Sequence, residues 1–211
     1  MTPFPVELYT AQCARWPQSG RHILAHFDES TIVVYQAYRS SAGEFAVAHQ
    51  RFGRDFSYRR MSWIKPNFLW MMYRSDWGRS EGQTVVLAVR LRRTFFESLL
   101  EQAVGSSFDP ARHVDQTAWQ QAVEQSDVRL QWDPDHQPSG EPTARRAIQI
   151  GLRGAALESY GQREIMEIAD ISNFVAQQRA VLDRGDENDL LLLLERVYQP
   201  SSAAAVHVGL D

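Results

Sequence analysis

Clusters and alternations of apolar residues divide the chain into short strands and helices in irregular order. Thr31-Ile-Val-Val-Tyr-Gln-Ala-Tyr38 is β-branched and aromatic, which predicts a strand ending at or near Tyr38. Ser40 to Phe52 reads as a helix capped by Ser40 or Ser41. Gln83 to Leu91 predicts a second strand, followed by a helix from about Arg93 to Val104. Residues 105–117 read as a Gly/Ser/Pro connection and 117–125 as a short helix. Further strands are expected at 128–132, 145–152 and 164–168, with helices at 173–182 and 187–197. Three prolines and a glycine make 133–143 the clearest loop. The tail 201–211 reads as loose, which leaves one domain over residues 1–200. Elements mix without regular alternation or repeats, so the expected class is α+β rather than a doubly wound sheet.

The central segment carries the most chemistry. The arginine-rich stretch Phe56 to Ile64 fits either a strand or an extended loop. Pro66 suits the first turn of a helix and keeps Lys65 out of helical geometry. A helix over about 66–77 is predicted, with Lys65 just outside its N-terminus. Phe68, Leu69, Met71 and Met72 fill most of its circumference, so it is expected to be buried. Trp63, Trp70 and Trp77 recur every seven residues, which puts Trp70 and Trp77 on a similar face. Trp70 reads more readily as core than as a stacking platform. Burying the polar ends of Lys65, Tyr73 and Arg74 without partners would be costly. Those ends must reach solvent, a carboxylate or an anionic ligand, and a helix N-terminus itself favours an anion.

Composition sharpens this picture at one position. Lys65 is the sole lysine beside 21 arginines, so a compact ammonium stands where the chain otherwise writes a flat guanidinium. With 211 residues, 44% hydrophobic and 23% charged, the chain has the make-up of an ordinary globular domain. Its net charge of −4 is uneven: residues 51–93 hold ten basic side chains against three acidic ones. That window reads either as a patch focusing the field on a small anion or as a solvated arginine face. The longest apolar run, Leu190 to Leu194, is too short to span a bilayer, and the start shows no secretory pattern. A lone Cys13 cannot form an internal disulfide, which fits a reducing cytoplasm. His22 and His26 lack further ligands at a fixed spacing, so no metal site is expected. Phosphate loops, dinucleotide glycine motifs and nucleophile elbows are absent from the sequence.

Two glutamines sit amid apolar strand residues. Gln36 lies between Tyr35 and Tyr38 near a strand end, where polar groups either line a pocket or cap the core. Gln149 faces opposite to Ile148 and Ile150. Two such amides point to recognition by groups that both donate and accept hydrogen bonds.

The segments 31–38, 61–77 and 148–154 resemble a bacterial and fungal family catalogued as domain of unknown function 4291, over Arg21 to about Val175. That family is distantly similar to the ADP-ribosyltransferase superfamily. The resemblance implies a mostly antiparallel split sheet flanked by helices, with NAD bound in the cleft. It implies Gln36 at the first catalytic position, one of Trp63, Lys65 or Tyr73 at the second, and Gln149 at the third. Arg21, Lys65 and Arg74 would neutralise the pyrophosphate; Tyr35, Tyr38 and Tyr73 would support the nicotinamide, with Trp63 and Trp70 lining the cofactor site. Gln36 stands where the superfamily carries His or Arg, and no glutamate occupies 149. The implied activity is transfer of ADP-ribose to a nucleic acid, protein or small molecule. The alternative is a non-catalytic module that binds RNA or DNA through arginines and stacking tryptophans.

Overall fold

The computed structural model describes residues 3–211. Its framework starts from a three-stranded sheet, two of whose strands are apolar on both faces. β1 (Val6–Leu8), α1 (Tyr9–Cys13), β2 (Gly20–Arg21) and β3 (Ile23–Ala25) precede the first of them, β4 (Thr31–Tyr38). Next come α2 (Ser40–His49), β5 (Ser62–Ile64), α3 (Phe68–Ser75), β6 (Val85–Arg92), α4 (Arg93–Gln102), β7 (Val104–Gly105) and α5 (Gln116–Gln125). β8 (Val128–His136), β9 (Pro142–Leu152), α6 (Gly154–Gln162), β10 (Ile165–Asp170) and α7 (Ser172–Asp183) follow. β11 (Leu191–Leu193), β12 (Arg196–Tyr198) and α8 (Ser202–Val208) complete the chain, an α+β domain.

β10, β6 and β4 form an antiparallel sheet in that order. Ile32, Val34, Leu87 and Val89 feed one core on its first face. Val33, Tyr35, Val86 and Ala88 feed a second core with α3 and α7 on the other. Burial on both sides explains the near-continuous apolar reading of β4 and β6.

The second sheet is built on the long antiparallel pair β8–β9. β5 adds antiparallel to β9, from Ser62 opposite Leu152 to Ile64 opposite Ile150. β2 adds parallel to the start of β9, and β7 parallel to β8. Here one face alone is apolar: Val128, Leu130, Ile148, Ile150 and Leu152 enter the first core. Alternate residues therefore face away, namely Arg129, Gln131, Asp133 and Asp135 on β8 and Arg145, Ala147, Gln149 and Gly151 on β9. The two sheets meet at one bridge, where the Tyr35 N–H donates to the Lys65 carbonyl at 2.7 Å.

α3 starts later than the sequence predicts, at Phe68, because Asn67 caps it by accepting from the Trp70 N–H at 2.6 Å. It stops at Ser75, where Asp76 turns left-handed at φ 47°.

Three other expectations are corrected. The helix expected at 187–197 is a short 3₁₀ turn followed by β11 and β12, which pair with β1 and β3. A short run of leucines fits either state, and distant partner strands decide it. The loop expected at 133–143 is mostly hairpin: β8 continues to His136 and β9 begins at Pro142. Pro134 is tolerated because β7 pairs only with Arg129 and Leu130, leaving the Pro134 edge without a ladder to break. The tail contains α8, with Ala204 and Val208 fully buried and Ser201 as its cap.

Candidate functional site

The polar face of the second sheet gathers groups far apart in sequence. Gln131 lies directly opposite Gln149, and Trp63 directly opposite Gly151, so each pair shares a face. Lys65 follows Ile64 and therefore returns to the face of Trp63. Asp133, two residues beyond Gln131, joins the same row. Its carboxylate accepts from Gln131 Nε2 at 2.8 Å and from Gln149 Nε2 at 2.7 Å. Both amide nitrogens are thus committed to aiming one carboxylate.

The Lys65 side chain borders this carboxylate under unusual conditions. It is 6% exposed. Among the described residues its ammonium has neither a hydrogen bond nor an ion pair within 4.0 Å. Burial, reinforced by the nearby Arg74 guanidinium and opposed by Asp133, brings its pKa down to about 8. Arg74 itself is exposed on α3 and forms no ion pair. Two cations close together without a protein anion in contact make this place favourable for an anionic ligand.

Trp63 is half-buried, with its ring lying over Gly151. A Cβ at Gly151 would sit 2.7 Å from Met61 Sδ and 3.0 Å from the Trp63 ring. Gly151→Val is accordingly expected to push the indole off the strand, cost about 1–3 kcal/mol and change the tryptophan emission. Unchanged emission with full stability would mean the ring is free to move and is not held over Gly151.

α3 packs against β8. Tyr73 stacks on His136 at 3.6 Å between ring centroids, and Trp70 stacks on the same imidazole at 5.1 Å. Tyr73 is 46% exposed, whereas Trp70 Nε1 and His136 Nδ1 are buried without hydrogen-bond partners. Burial lowers the His136 pKa, which favours the neutral ring. Beneath this stack, Asp135 pairs with Arg145 at 2.6 Å, and Arg145 also donates to the Pro17 carbonyl and lies over Trp16. Glu195 accepts from the Phe68 N–H at 2.8 Å and so caps the first turn of α3 from the far end of the chain. Burial, aided by the neighbouring Asp135 carboxylate, pushes Glu195 well above the usual carboxylate range.

The structure brings Lys65, Gln149, Trp63 and Arg74 to one place, with Tyr73 and Trp70 at its α3 side. It places the others elsewhere. Gln36 projects to the opposite face, into the first core. It donates to Ser62 Oγ at 2.8 Å and to the Trp63 carbonyl at 3.2 Å, and accepts from Tyr160 at 2.6 Å. Its amide joins β4 to β5 and leaves nothing for a ligand, so a catalytic role there is not supported. Tyr38 bonds Ser62 at 3.0 Å and packs against Phe52 and Phe56, while Tyr35 is wholly buried against Phe68. Arg21 pairs with Arg146 and faces the other side of β9 from Gln149. Trp77 is buried beside Phe68, so two of the three spaced tryptophans offer no stacking surface.

The basic window is partly neutralised. Arg79, Arg90 and Arg92 pair with Asp76, with Asp28 and Glu167, and with Glu164 respectively. Arg51, Arg54, Arg59 and Arg60 stay exposed with no ion pair among the described residues. Among those residues no group of three or more His, Cys, Asp or Glu side chains can hold a metal ion. No helix is long and apolar enough to cross a membrane.

Sequence reasoning missed Asp133, Asp135, Arg145 and Glu195. For the two aspartates a signal existed: Arg129, Gln131, Asp133 and Asp135 alternate with Val128, Leu130, Trp132 and Pro134, a period of two that runs through the proline.

The sequence pattern of a family described as Domain of unknown function (DUF4291) matches residues 22–198. None of the curated proteins matches the chain.

Proposed function

The chain belongs to this family, and from that premise we propose that the cleft over β5, β9 and β8 binds NAD and transfers its ADP-ribose. The observation that carries the reading is the Lys65 side chain, 6% exposed and with an unpartnered ammonium, beside a carboxylate held by two amides. A mostly antiparallel pair of sheets, joined where Tyr35 bridges Lys65 and with a polar face on the second sheet, supports the ADP-ribosyltransferase-like reading.

In this reading Lys65 and Arg74 neutralise the diphosphate, and Trp63 lies against a flat ring. Gln149 donates its nitrogen to Asp133, which leaves its carbonyl oxygen free to accept from a ribose hydroxyl. As the bond from ribose C1′ to the nicotinamide nitrogen breaks, its electron pair stays on nicotinamide, and positive charge develops on the ribose. Asp133 faces that charge from a fixed position, which is how preorganised groups lower such barriers. The acceptor oxygen or nitrogen then bonds to C1′ and gives up its proton to water. Asp133 thereby supplies the carboxylate that position 149 lacks.

Calorimetry with NAD, paired with mass spectrometry for nicotinamide, tests the proposal. Asp133→Asn is expected to bind NAD within a few-fold of the native chain and to release nicotinamide about 100-fold more slowly or worse. Absence of heat and of nicotinamide with the native chain contradicts it. A second reading, nucleic-acid binding without catalysis, draws on the four unpaired arginines between 51 and 60. It predicts affinity for single-stranded RNA that falls steeply with salt, with no heat from NAD.

A further inference from the structure

Arg21, which does not join the Lys65 cluster, belongs to a second basic place. On the core-facing side of β9, at the edge of β8, lies a cavity of about 370 Å³ lined by Arg21, Arg112, Arg146 and His113. The only carboxylate in its lining is Asp109. The parallel pairing of β2 on β9 sets Arg21 directly beside Arg146, so the two side chains rise from neighbouring backbones on one face. Arg112 arrives from the loop before α5. A Cβ added at Gly209 would lie 2.6 Å from Arg112 Nη2 and 3.0 Å from Arg21 Nη1, so two guanidiniums converge over the same bare backbone. Gly209 ends α8 at φ 71°, a conformation that favours glycine, and the missing side chain is what lets both cations approach.

Protein partners account for only part of this positive charge. Arg112 pairs with Asp109 at 3.4 Å and also donates to the His207 carbonyl, closing the end of α8. Arg146 donates one nitrogen to the Trp132 carbonyl at 3.0 Å. The Arg21 guanidinium makes no hydrogen bond or ion pair; its backbone N–H alone donates to Asp211 Oδ2, at 2.8 Å. The His113 ring and the hydroxyls of Ser106 and Ser107, which also line the cavity, have no hydrogen-bonded partner either. Three like charges with one carboxylate in the lining repel one another unless an anion joins them. Forked guanidinium donors beside hydroxyls match the oxygens of a phosphate group better than a point charge does.

We propose that this cavity binds the phosphate of a small phosphate monoester, at a site separate from the Lys65 cleft and on the opposite face of β9. The volume leaves room for a modest organic group beyond the phosphate. The site stands or falls independently of NAD binding.

Titration calorimetry with phenyl phosphate, using phenol as the uncharged control, tests the site in the full chain. Phenyl phosphate is expected to bind and phenol not to. Arg21→Gln combined with Arg146→Gln should weaken binding by about tenfold or more, while Lys65→Met leaves it unchanged. Arg21→Gln alone, at an exposed side chain whose guanidinium makes no hydrogen bond or ion pair, should keep the native melting temperature and still weaken binding several-fold. Equal binding of phenol, no binding of phenyl phosphate by the native chain, or a loss seen with Lys65→Met but not with the arginine variants would overturn the proposal.

Discussion

Lys65→Met is expected to make the protein more stable and a poorer binder of NAD at the same time. The side chain is 6% exposed, its ammonium has no protein partner, and its pKa is down to about 8 from an ordinary 10.5. Holding it charged at neutral pH therefore costs the folded state up to about 3 kcal/mol. Methionine fills a similar volume without that cost, so the melting temperature should rise by roughly 5–10 °C for a domain of this size. The pH dependence fixes the sign. Below pH 8 both folded and unfolded native chains carry the proton, and the full penalty is present. Between 8 and 10.5 the unfolded chain binds the proton more tightly than the folded one, so native stability rises with pH. The Met variant lacks this rise, and its advantage should vanish above about pH 10.5. A lower melting temperature for Lys65→Met would mean that the lysine is held by an internal partner and is structural.

Arg145→Met is expected to have the opposite effect, a loss of about 3–5 kcal/mol. Arg145 is buried, pairs with Asp135 through two nitrogens and bonds the Pro17 carbonyl with a third. Its removal leaves the buried Asp135 carboxylate, with the Glu195 carboxyl nearby, without a cation. Burial already holds Asp135 above its ordinary pKa despite the arginine. The double variant Arg145→Met with Asp135→Leu removes both charges and should recover most of the lost stability, because apolar replacement of a buried pair is often neutral. Denaturant unfolding of the three variants measures both steps. A double variant no better than the single one would show that the pair contributes through the Pro17 and Trp16 contacts instead.

The sequence made the α+β class, the family and the unusual status of Lys65 legible, because each rests on local pattern. The β-branched run at 31–38 and the 83–91 strand appear where they were expected, within a few residues. Lys65 stood out through composition, and its displacement from helical geometry followed from Pro66. What stayed hidden depended on pairing between distant segments. Gln36 and Gln149 look alike in sequence, yet one enters a core shared by two sheets and the other lies on the polar face of the second sheet. The difference lies in which face of each strand is covered by a second sheet. Asp133 was hidden because three prolines and a glycine read as a loop over 133–143, whereas Pro134 lies on an edge with no ladder to lose. Glu195 reaches the start of α3 from 127 positions away in sequence, a contact that no local rule anticipates.

The central claim is that the Lys65 ammonium meets a ligand anion in the cleft. NAD affinity measured by calorimetry from pH 6 to pH 10, on the native chain and on Lys65→Met, tests it most directly. The native affinity should be level below pH 8 and then fall by up to about tenfold per pH unit as the ammonium loses its proton, whereas the variant should bind weakly with a flat profile. Identical affinity and identical pH dependence for the two proteins would contradict the account.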